Sequence, residues 1–339
     1  MWKAGIKWMF LIIGTMIGAG YASGRELWQF FGYESGLAIL LFTVLFFTCT
    51  FVIMTISQNH GSEHYLPILE QLMGKKLTKL YDGMIILYLF STTVIMMAGG
   101  GATLEVLHVS YWYGVMILAF LLVLLFIWGI NGMTSINALI IPLLIFFLVT
   151  TLLVFQKSVG WDMGFEWTKQ ANWPSAFTFT ALNILPLIAV LGAIGSKIKH
   201  RGEIWIASIG SASTLGVISY LYNQSLIQVA QEVMIYEIPL FAILKNYPYF
   251  MVLVMSGLLW AAIFTTAASG MLGLCTRLQP LIKIPFWALA LVLSILMMPL
   301  TTFGFSKLVG ILYPLYGLLN LYILASIMLY PIIHKFDNT

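Results

Sequence analysis

Uninterrupted apolar runs dominate this chain, and they restrict its fold more than any other feature. Ten runs can be delimited, at about 6–33, 36–57, 79–104, 112–130, 134–155, 174–196, 203–224, 249–275, 282–302 and 307–332. A membrane-spanning helix needs about 20 apolar residues, whereas membrane β-barrels show alternating segments of about 10 residues. The runs therefore predict an all-α integral membrane protein with ten transmembrane helices.

The low content of charged residues supports lipid as the solvent. Only 8% of the 339 residues are charged and 61% are hydrophobic, whereas a soluble domain carries roughly a quarter charged residues. Cys49 and Cys275 fall within or at the end of apolar runs and are interpreted as small membrane hydrophobes. The net charge is +4, and no run of basic residues suggests nucleic-acid binding. No group of acidic and basic side chains at membrane depth indicates an enzyme.

The distribution of lysine and arginine predicts the orientation. With a cytoplasmic N-terminus, eleven basic residues lie inside and five outside, as the positive-inside rule requires. The inner set is Lys3, Lys7, Lys75, Lys76, Lys79, Lys197, Lys199, Arg201, Arg277, Lys283 and Lys335, and the outer set is Arg25, Lys157, Lys169, Lys245 and Lys307. We therefore expect a multi-pass protein of the plasma membrane with both termini in the cytoplasm.

The number of spans predicts an internal repeat. Ten spans divide into two sets of five, and because five is odd the two sets must insert with opposite orientations. This is the inverted-repeat plan of many secondary transporters. Within one membrane domain, 1–339, repeat one would cover about 1–157 and repeat two about 172–333.

The first span concentrates glycine near its middle, at Gly14, Gly18, Gly20 and Gly24. Each glycine costs up to about 1 kcal/mol of helix propensity relative to alanine, so the cluster favours a deliberately broken helix. The freed carbonyls could bind a cation, and the amides of the outer half could bind a carboxylate. A close-packing glycine face is the alternative.

Two further spans carry polar residues at the depth of this break. In the sixth span, Asn183 and Pro186 predict a second break, with a simple proline kink as the alternative. In the eighth span, Thr265 and Thr266 follow Ala262 and offer hydroxyl oxygens to a hard cation. Either hydroxyl could instead bond to a carbonyl of its own helix.

Together, Gly14 to Gly20 and Ala262-x-x-Thr265-Thr266 resemble the sodium site of the LeuT-fold transporters. The resemblance implies sodium as the coupling ion and a ligand set comprising the carbonyls of Gly14, Ile17 and Ala262 and the hydroxyls of Thr265 and Thr266. Tyr21 stands where the neurotransmitter-type branch has the asparagine of a second sodium site. The fifth span lacks the lysine that replaces sodium in proton-coupled relatives.

A narrower resemblance lies within that superfamily of amino acid, polyamine and organocation transporters. The stretch from Gly14 to Glu26, the following Trp28-Gln-Phe-Phe and the segment Ala98 to Glu105 are similar to the bacterial YkvI-type membrane proteins. This resemblance implies a LeuT-like 5+5 inverted repeat with broken first and sixth helices.

The predicted substrate pocket lies between the two breaks, with the third and eighth spans as walls. Its candidate contacts are Gly18, Ala19, Gly20, Tyr21, Tyr88, Thr92, Phe177 and Asn183. No acidic side chain is expected to face this pocket, which disfavours a polyamine. A small zwitterion fits better, with its carboxylate on the amides of the outer first half-helix.

These features predict a sodium-coupled symporter of a small amino acid or related zwitterionic solute, working by alternating access. One alternative is a proton-coupled transporter of the same fold, with Glu26 or Glu105 as the protonated group. The other is a ligand-sensing membrane subunit without transport, as in spore-germination receptors. Arg25 and Glu26 are expected in a water-accessible outer vestibule, or in an interfacial salt bridge.

Overall fold

The computed structural model describes residues 1–128, 133–160, 170–282 and 284–333, with side chains except at 128, 133–139, 280 and 281. All the regular structure in these ranges is helical. The helices are α1 Trp2–Met16, α2 Ala19–Ala22, α3 Arg25–Phe30, α4 Gly36–His60, α5 Leu66–Glu105, α6 Tyr111–Trp128, α7 Met133–Val159, α8 Ser175–Gly192, α9 Arg201–Gln228, α10 Ala230–Val233, α11 Leu240–Leu244, α12 Tyr249–Ile282, α13 Phe286–Met297, α14 Phe305–Leu319 and α15 Leu321–Ile333. Short 3-10 turns cover Gly195–Lys197 and Met298–Phe303.

The described helices account for the ten predicted spans. Eight helical segments are long and apolar enough to cross a membrane. The fourth span, α6, is a shorter apolar helix, and the first span is the series α1 to α3. Of the basic residues used for orientation, Lys169, Lys283 and Lys335 lie outside the described ranges.

The first span is broken where its glycines predict. Helix α1 ends at Met16, and Ile17 has φ −81° and ψ 67°. Gly18 is extended, and its amide donates to Met16 O at 2.9 Å in place of the helical partner four residues back. A second change of direction follows at Gly24, whose φ of 79° is in the left-handed region that glycine adopts most easily.

The interruption predicted in the sixth span at Asn183 and Pro186 is not found there. Helix α8 continues through both residues to Gly192. Asn183 donates its side-chain amide to Phe179 O at 2.9 Å, so its own helix satisfies it. Membrane helices tolerate proline when nearby groups compensate for the missing hydrogen bond, and α8 ends instead where Gly192 packs against the backbone of Tyr65.

Two other interruptions lie in or next to the long third and tenth spans. Gly74, with φ 74° and ψ 164°, separates an inner helix from the third span within α5. In the tenth span, α14 ends at Leu319 and α15 begins at Leu321, with the fully buried Asn320 between them.

Close packing places the first, third, eighth and tenth spans around a common interior. Helix α5 packs along α12 and contacts α14, while α1 packs along α9. The α5–α6 crossing depends on glycine, since a Cβ on Gly114 would lie 2.7 Å from Gly100 O and 2.8 Å from Gly101 Cα. Small residues at such crossings allow membrane helices to approach closely, which explains the glycine run of the third span.

Candidate functional site

The break in the first span frees main-chain groups at the centre of the bundle. Because the Gly18 amide bonds to Met16 O, Gly14 O lacks its usual helical donor. The Ile17 carbonyl belongs to a residue outside the helical region. On the other side of the break, α2 begins at Ala19 without a side-chain cap, so its first amides lack helical partners. The break therefore offers both carbonyl oxygens and amide donors.

Helix α12 brings three oxygens together beside this break. Thr265 Oγ1 donates to Ala262 O at 3.1 Å, and Thr266 Oγ1 donates to the same carbonyl at 2.8 Å. These are the own-helix bonds of the alternative interpretation, but each hydroxyl oxygen keeps lone pairs for a cation. Helix α2 contacts α12, and a Cβ on Gly18 would lie 3.9 Å from Thr266 Oγ1.

The five predicted sodium ligands fall into two groups. Ala262, Thr265 and Thr266 share one turn of α12, whereas Gly14 and Ile17 lie at the end of α1. The face of Gly14 that lacks a side chain packs on Ile141 of α7, where a Cβ would be 3.4 Å from Ile141 Cδ1. The two groups are linked through Gly18, the residue of the break that lies beside Thr266.

The predicted substrate contacts Tyr21, Phe177 and Asn183 each have a partner within the protein. The hydroxyl of Tyr21 shares a 2.8 Å hydrogen bond with Ser219 Oγ and donates to Leu215 O at 3.3 Å, so the side chain is buried against α9. Phe177 packs edge-on against Trp173, with ring centroids 6.1 Å apart. The Asn183 amide bonds within α8, and the roles of Phe177 and Asn183 as substrate contacts stay predictions.

Gly20 and Tyr88 lie near the acidic side chain of Glu26, which was expected in an outer vestibule or an interfacial salt bridge. A Cβ on Gly20 would overlap the Glu26 carboxylate and would lie 2.7 Å from Glu26 Cδ. The carboxylate is also close enough to act electrostatically on the hydroxyls of Tyr88 and Tyr313. Glu26 is only 8% exposed. The expectation that no acidic side chain faces the pocket is therefore wrong.

The surroundings of Glu26 extend onto α5 and α14. Tyr88 packs edge-on against Tyr316 with ring centroids 5.2 Å apart, and Thr92 Oγ1 donates to Tyr88 O at 2.8 Å. Tyr316 OH shares a 2.6 Å hydrogen bond with Ser91 Oγ. We call Tyr88, Tyr313 and Tyr316 the tyrosine-rich wall. The predicted contact Tyr88 belongs to this wall, and the predicted contact Thr92 is bonded to it.

The placement of Glu26 follows from backbone geometry at Gly24. The left-handed Gly24 separates α2 from α3, and Glu26 stands in the first turn of α3. An acidic residue is favoured in that turn by the helix dipole. In the sequence, the only sign of this position was a glutamate two residues after a glycine. The direction of the Glu26 side chain depends on the φ angle of Gly24, which the sequence does not give.

Arg25 is neither in an open vestibule nor in a salt bridge with its neighbour. The side chain is 7% exposed, and it donates to Tyr236 O at 2.8 Å and to Glu237 O at 3.2 Å. We call residues 234–240 the outer strap. The strap also binds Ser23 O through the Leu240 amide at 2.9 Å, and Glu237 Oε2 accepts the Ser306 amide at 2.6 Å. The strap thus joins the first span to the start of α14.

A second polar network closes the opposite end of the bundle. Arg277 of α12 forms an ion pair with Asp82 of α5. Tyr65, just before α5, donates to Asp82 Oδ1 at 3.1 Å and accepts from Arg277 Nη2 at 3.3 Å. Glu105 of α5 is exposed, away from the break. The interior around Gly18, Gly20 and Glu26 therefore lies between two bridged ends.

Comparison with known proteins identifies two relatives of this chain. No family model matches the chain. The uncharacterized protein YyaD of Bacillus subtilis (strain 168) is 48% identical over 335 residues, covering 99% of both chains. The uncharacterized membrane protein YkvI of the same organism is 24% identical over 330 residues, covering 94% of both.

The chain also resembles a solved transporter structure. The crystal structure of MhsT in complex with L-phenylalanine superposes with a TM-score of 0.68 at 14% identity, covering 95% of this chain and 88% of MhsT. At that identity the match shows the fold, which is the LeuT fold that the sequence motifs predict. The resemblance to the YkvI-type proteins is likewise confirmed.

Proposed function

Because the chain belongs to the family of the YyaD and YkvI membrane proteins and has the LeuT transporter fold, we propose that it is a sodium-coupled symporter. Its solute would be a small amino acid or a related zwitterionic compound, carried by alternating access. The observation that supports this proposal best is the broken first span beside Thr265 and Thr266 of α12.

Sodium suits this site because every proposed ligand is an uncharged oxygen. Unwound carbonyls of a broken span, combined with neighbouring groups, coordinate sodium in secondary transporters. Here the ligands would be the carbonyls and hydroxyls of Gly14, Ile17, Ala262, Thr265 and Thr266. Binding would tie α1 and α2 to α12, since Gly18 already lies beside Thr266. The ion would thereby fix the relative positions of the two halves of the first span.

The solute would occupy the space between Gly20 and the tyrosine-rich wall. Its carboxylate would be attracted to the uncapped start of α2, where partial positive charge accumulates. For alternating access, the outer strap would have to open on one side of the membrane and the Arg277–Asp82–Tyr65 network on the other. Polar bonds connect both devices to the rest of the bundle, and the strap also packs Ile238 and Leu240 into the core, so opening it would break both kinds of contact.

Thermal unfolding of the purified protein tests the sodium site without knowledge of the solute. An ion that binds the folded state raises its stability by mass action, by about 1.4 kcal/mol at ten times its Kd. We expect a higher Tm in sodium chloride than in potassium chloride. The double substitution Thr265→Ala with Thr266→Ala should abolish this difference. Thr276→Ala is the matched control, because Thr276 lies on the same helix, is exposed and bonds only to Leu272 O.

Sodium stabilisation that persists in the double variant would contradict the proposed ligands. Uptake into proteoliposomes then tests coupling, with a mixture of radiolabelled amino acids outside and either a sodium or a potassium gradient. Accumulation only with the sodium gradient is expected. Sodium-dependent binding without accumulation would indicate the sensing subunit instead.

Proton coupling is the second candidate function, and the position of Glu26 supports it. A buried carboxylate at a membrane break can exchange protons with the pathway, and Glu26 is buried at Gly20. This candidate predicts accumulation that follows an imposed pH gradient and is equal in sodium and potassium. Exposed Glu105 has no comparable position.

A further inference from the structure

Glu26 is a buried carboxylate without a positive partner in the part of the chain that the structure describes. Among the residues that the structure describes, no hydrogen bond or ion pair reaches its side-chain oxygens. The neighbouring Arg25 directs its guanidinium to the carbonyls of the outer strap instead. The carboxylate lies against the Cα of Gly20, in the space that a side chain there would fill.

Leaving a carboxylate in this state is costly. The effective penalty for removing an ion from water is several kcal/mol, and only a counter-charge with good geometry offsets it. Ionisable groups within membrane spans are therefore rare, and they mark substrate or ion pathways. The position therefore indicates a counter-charge that arrives with a ligand.

The neighbours of Glu26 suit an ammonium group. The hydroxyls of Tyr88 and Tyr313 lie within the field of the Glu26 carboxylate, and a hydroxyl oxygen can accept a hydrogen bond from an ammonium group. The edge-on pair of Tyr88 and Tyr316 adds a second ring to the same wall. A carboxylate placed next to Glu26 would instead be repelled, so the acidic end of a zwitterion must point away from it.

We propose that Glu26 is the counter-ion for the ammonium group of the solute, which makes a protonated amine obligatory and a carboxylate dispensable. This proposal rests on the pocket assigned under the proposed function, and it adds the chemical group that the pocket selects. Simple amines and basic amino acids then belong to the solute class together with neutral amino acids, whereas N-acylated compounds do not.

Ligand-induced stabilisation of the purified protein tests the requirement for an amine. The probes are the twenty standard amino acids, cadaverine and phenethylamine, each at a fixed sodium concentration, with the N-acetyl derivative of every compound that raises the Tm. We expect at least one amine to stabilise the protein and its N-acetyl derivative to have no effect. Equal stabilisation by an N-acetyl derivative, or no stabilisation by any amine in the panel, overturns the proposal.

Substitution of Glu26 tests the residue itself. Losing one partner of a buried charge pair costs at least about tenfold in affinity, so Glu26→Gln should weaken binding of the best amine by that factor or more. Glu105→Gln is the matched control, since Glu105 is exposed, and it should bind normally. Unchanged affinity in Glu26→Gln overturns the assignment.

Two further variants keep the test decisive if Glu26→Gln folds poorly. Glu26→Asp keeps the charge but withdraws it by one methylene, and it should bind amines more weakly while still rejecting N-acetyl derivatives. Gly20→Ala places a methyl group where the carboxylate now lies, and it should weaken amine binding as well. Normal amine affinity in both variants contradicts the proposal. Sodium stabilisation must survive in each, so that loss of the amine site is distinguished from failure of the sodium site.

Discussion

Individual glycines in this protein differ in how much space surrounds them. A Cβ on Gly114 would meet the backbone of Gly100 and Gly101 at 2.7–2.8 Å, whereas nothing lies within 4 Å of a Cβ on Gly257. Backbone atoms of a packed helix cannot rotate away as a flexible side chain can. The same substitution should therefore have opposite effects at the two sites.

Gly114→Ala should destabilise the protein by about 1–3 kcal/mol, the usual cost of inserting a methyl group into a filled contact. Gly257→Ala should leave stability unchanged or raise it by up to about 1 kcal/mol, because alanine is the better helix former. Thermal unfolding monitored by intrinsic fluorescence measures both. Equal Tm values for the two variants would show that α6 can move away from α5.

The site residues that could be predicted from the sequence are those whose arrangement depends on neighbouring residues in the chain. Thr265 and Thr266 lie one turn from Ala262 on a single helix, so their convergence follows from sequence spacing alone. The break at Ile17 and Gly18 follows from glycine content. The direction of Glu26 depends on the φ of Gly24, and that of Tyr21 on hydrogen bonds to residues 194 and 198 positions away. Neither is readable from spacing.

Among the helical elements, the outer half of the first span is held in place by hydrogen bonds to other segments of the chain. Its Ser23 carbonyl and Arg25 side chain bind the outer strap, and Tyr222 of α9 donates to Ala22 O at 3.0 Å. Glu237 of the strap in turn accepts the Ser306 amide at the start of α14, where a carboxylate is favoured by the helix dipole. Opening the strap would uncover α2 and α3 together.

Arg25→Ala should make the residues beneath the strap more accessible. Hydrogen bonds of a charged donor contribute about 1.5–3 kcal/mol, so their loss should raise the open fraction about tenfold or more. The reporter is Ser23→Cys, because Ser23 is fully buried, and the readout is its labelling rate with a maleimide that does not cross membranes. Lys245→Ala, which removes only an exposed pair with Glu232, should leave that rate unaltered. An unchanged rate in Arg25→Ala would mean that packing alone closes the strap.

At the inner end, Asp82→Asn should cost little stability. The side chains of Asp82 and Arg277 are 32% and 37% exposed, and ion pairs in contact with water contribute about 0–1 kcal/mol. We expect a drop within that range in chemical or thermal unfolding, and a smaller one at high salt. A loss above about 2 kcal/mol would show that the network acts as a buried unit.

At the level of elements, length was more predictable than continuity. Unbroken apolar runs gave the ten spans, because lipid admits little else. Proline in the sixth span was a poor guide, since Asn183 bonds to Phe179 O and α8 passes through Pro186 intact. The interruption at Asn320 has no glycine or proline beside it in the sequence that could have indicated it.

For the molecule as a whole, the contacts of Trp8, Tyr65 and Gly192 bring several described basic residues of the predicted inner set towards one end of the bundle. Trp8 of α1 donates to Glu203 at the start of α9 at 3.0 Å, which brings the N-terminal residues beside Arg201. At the same end, Gly192 packs against Tyr65, and Tyr65 bonds to Arg277. This clustering supports a cytoplasmic location for the N-terminus and for the loops after α4 and α8.

Cysteine labelling in intact cells checks this orientation. Cys49 and Cys275 are buried, so the unmodified protein should react weakly with a membrane-impermeant maleimide. Lys199→Cys, at an exposed inner-loop position, should react only after the cells are permeabilised, whereas Lys245→Cys, exposed beyond α11, should react at once. The reverse pattern would place the N-terminus outside.

The first span has a consequence for biosynthesis. Its outer half carries Arg25 and Glu26, and a charge at the centre of a span lowers the probability of insertion by the translocon, at about 2.5–3.5 kcal/mol each. The carbonyls that accept from Arg25 belong to residues made 211 and 212 positions later. Residues 19–30 therefore leave the ribosome long before these partners exist, and Arg25 can form its final hydrogen bonds only after the seventh span has been synthesised. The segment that enters the membrane first is thus among the last to be completed.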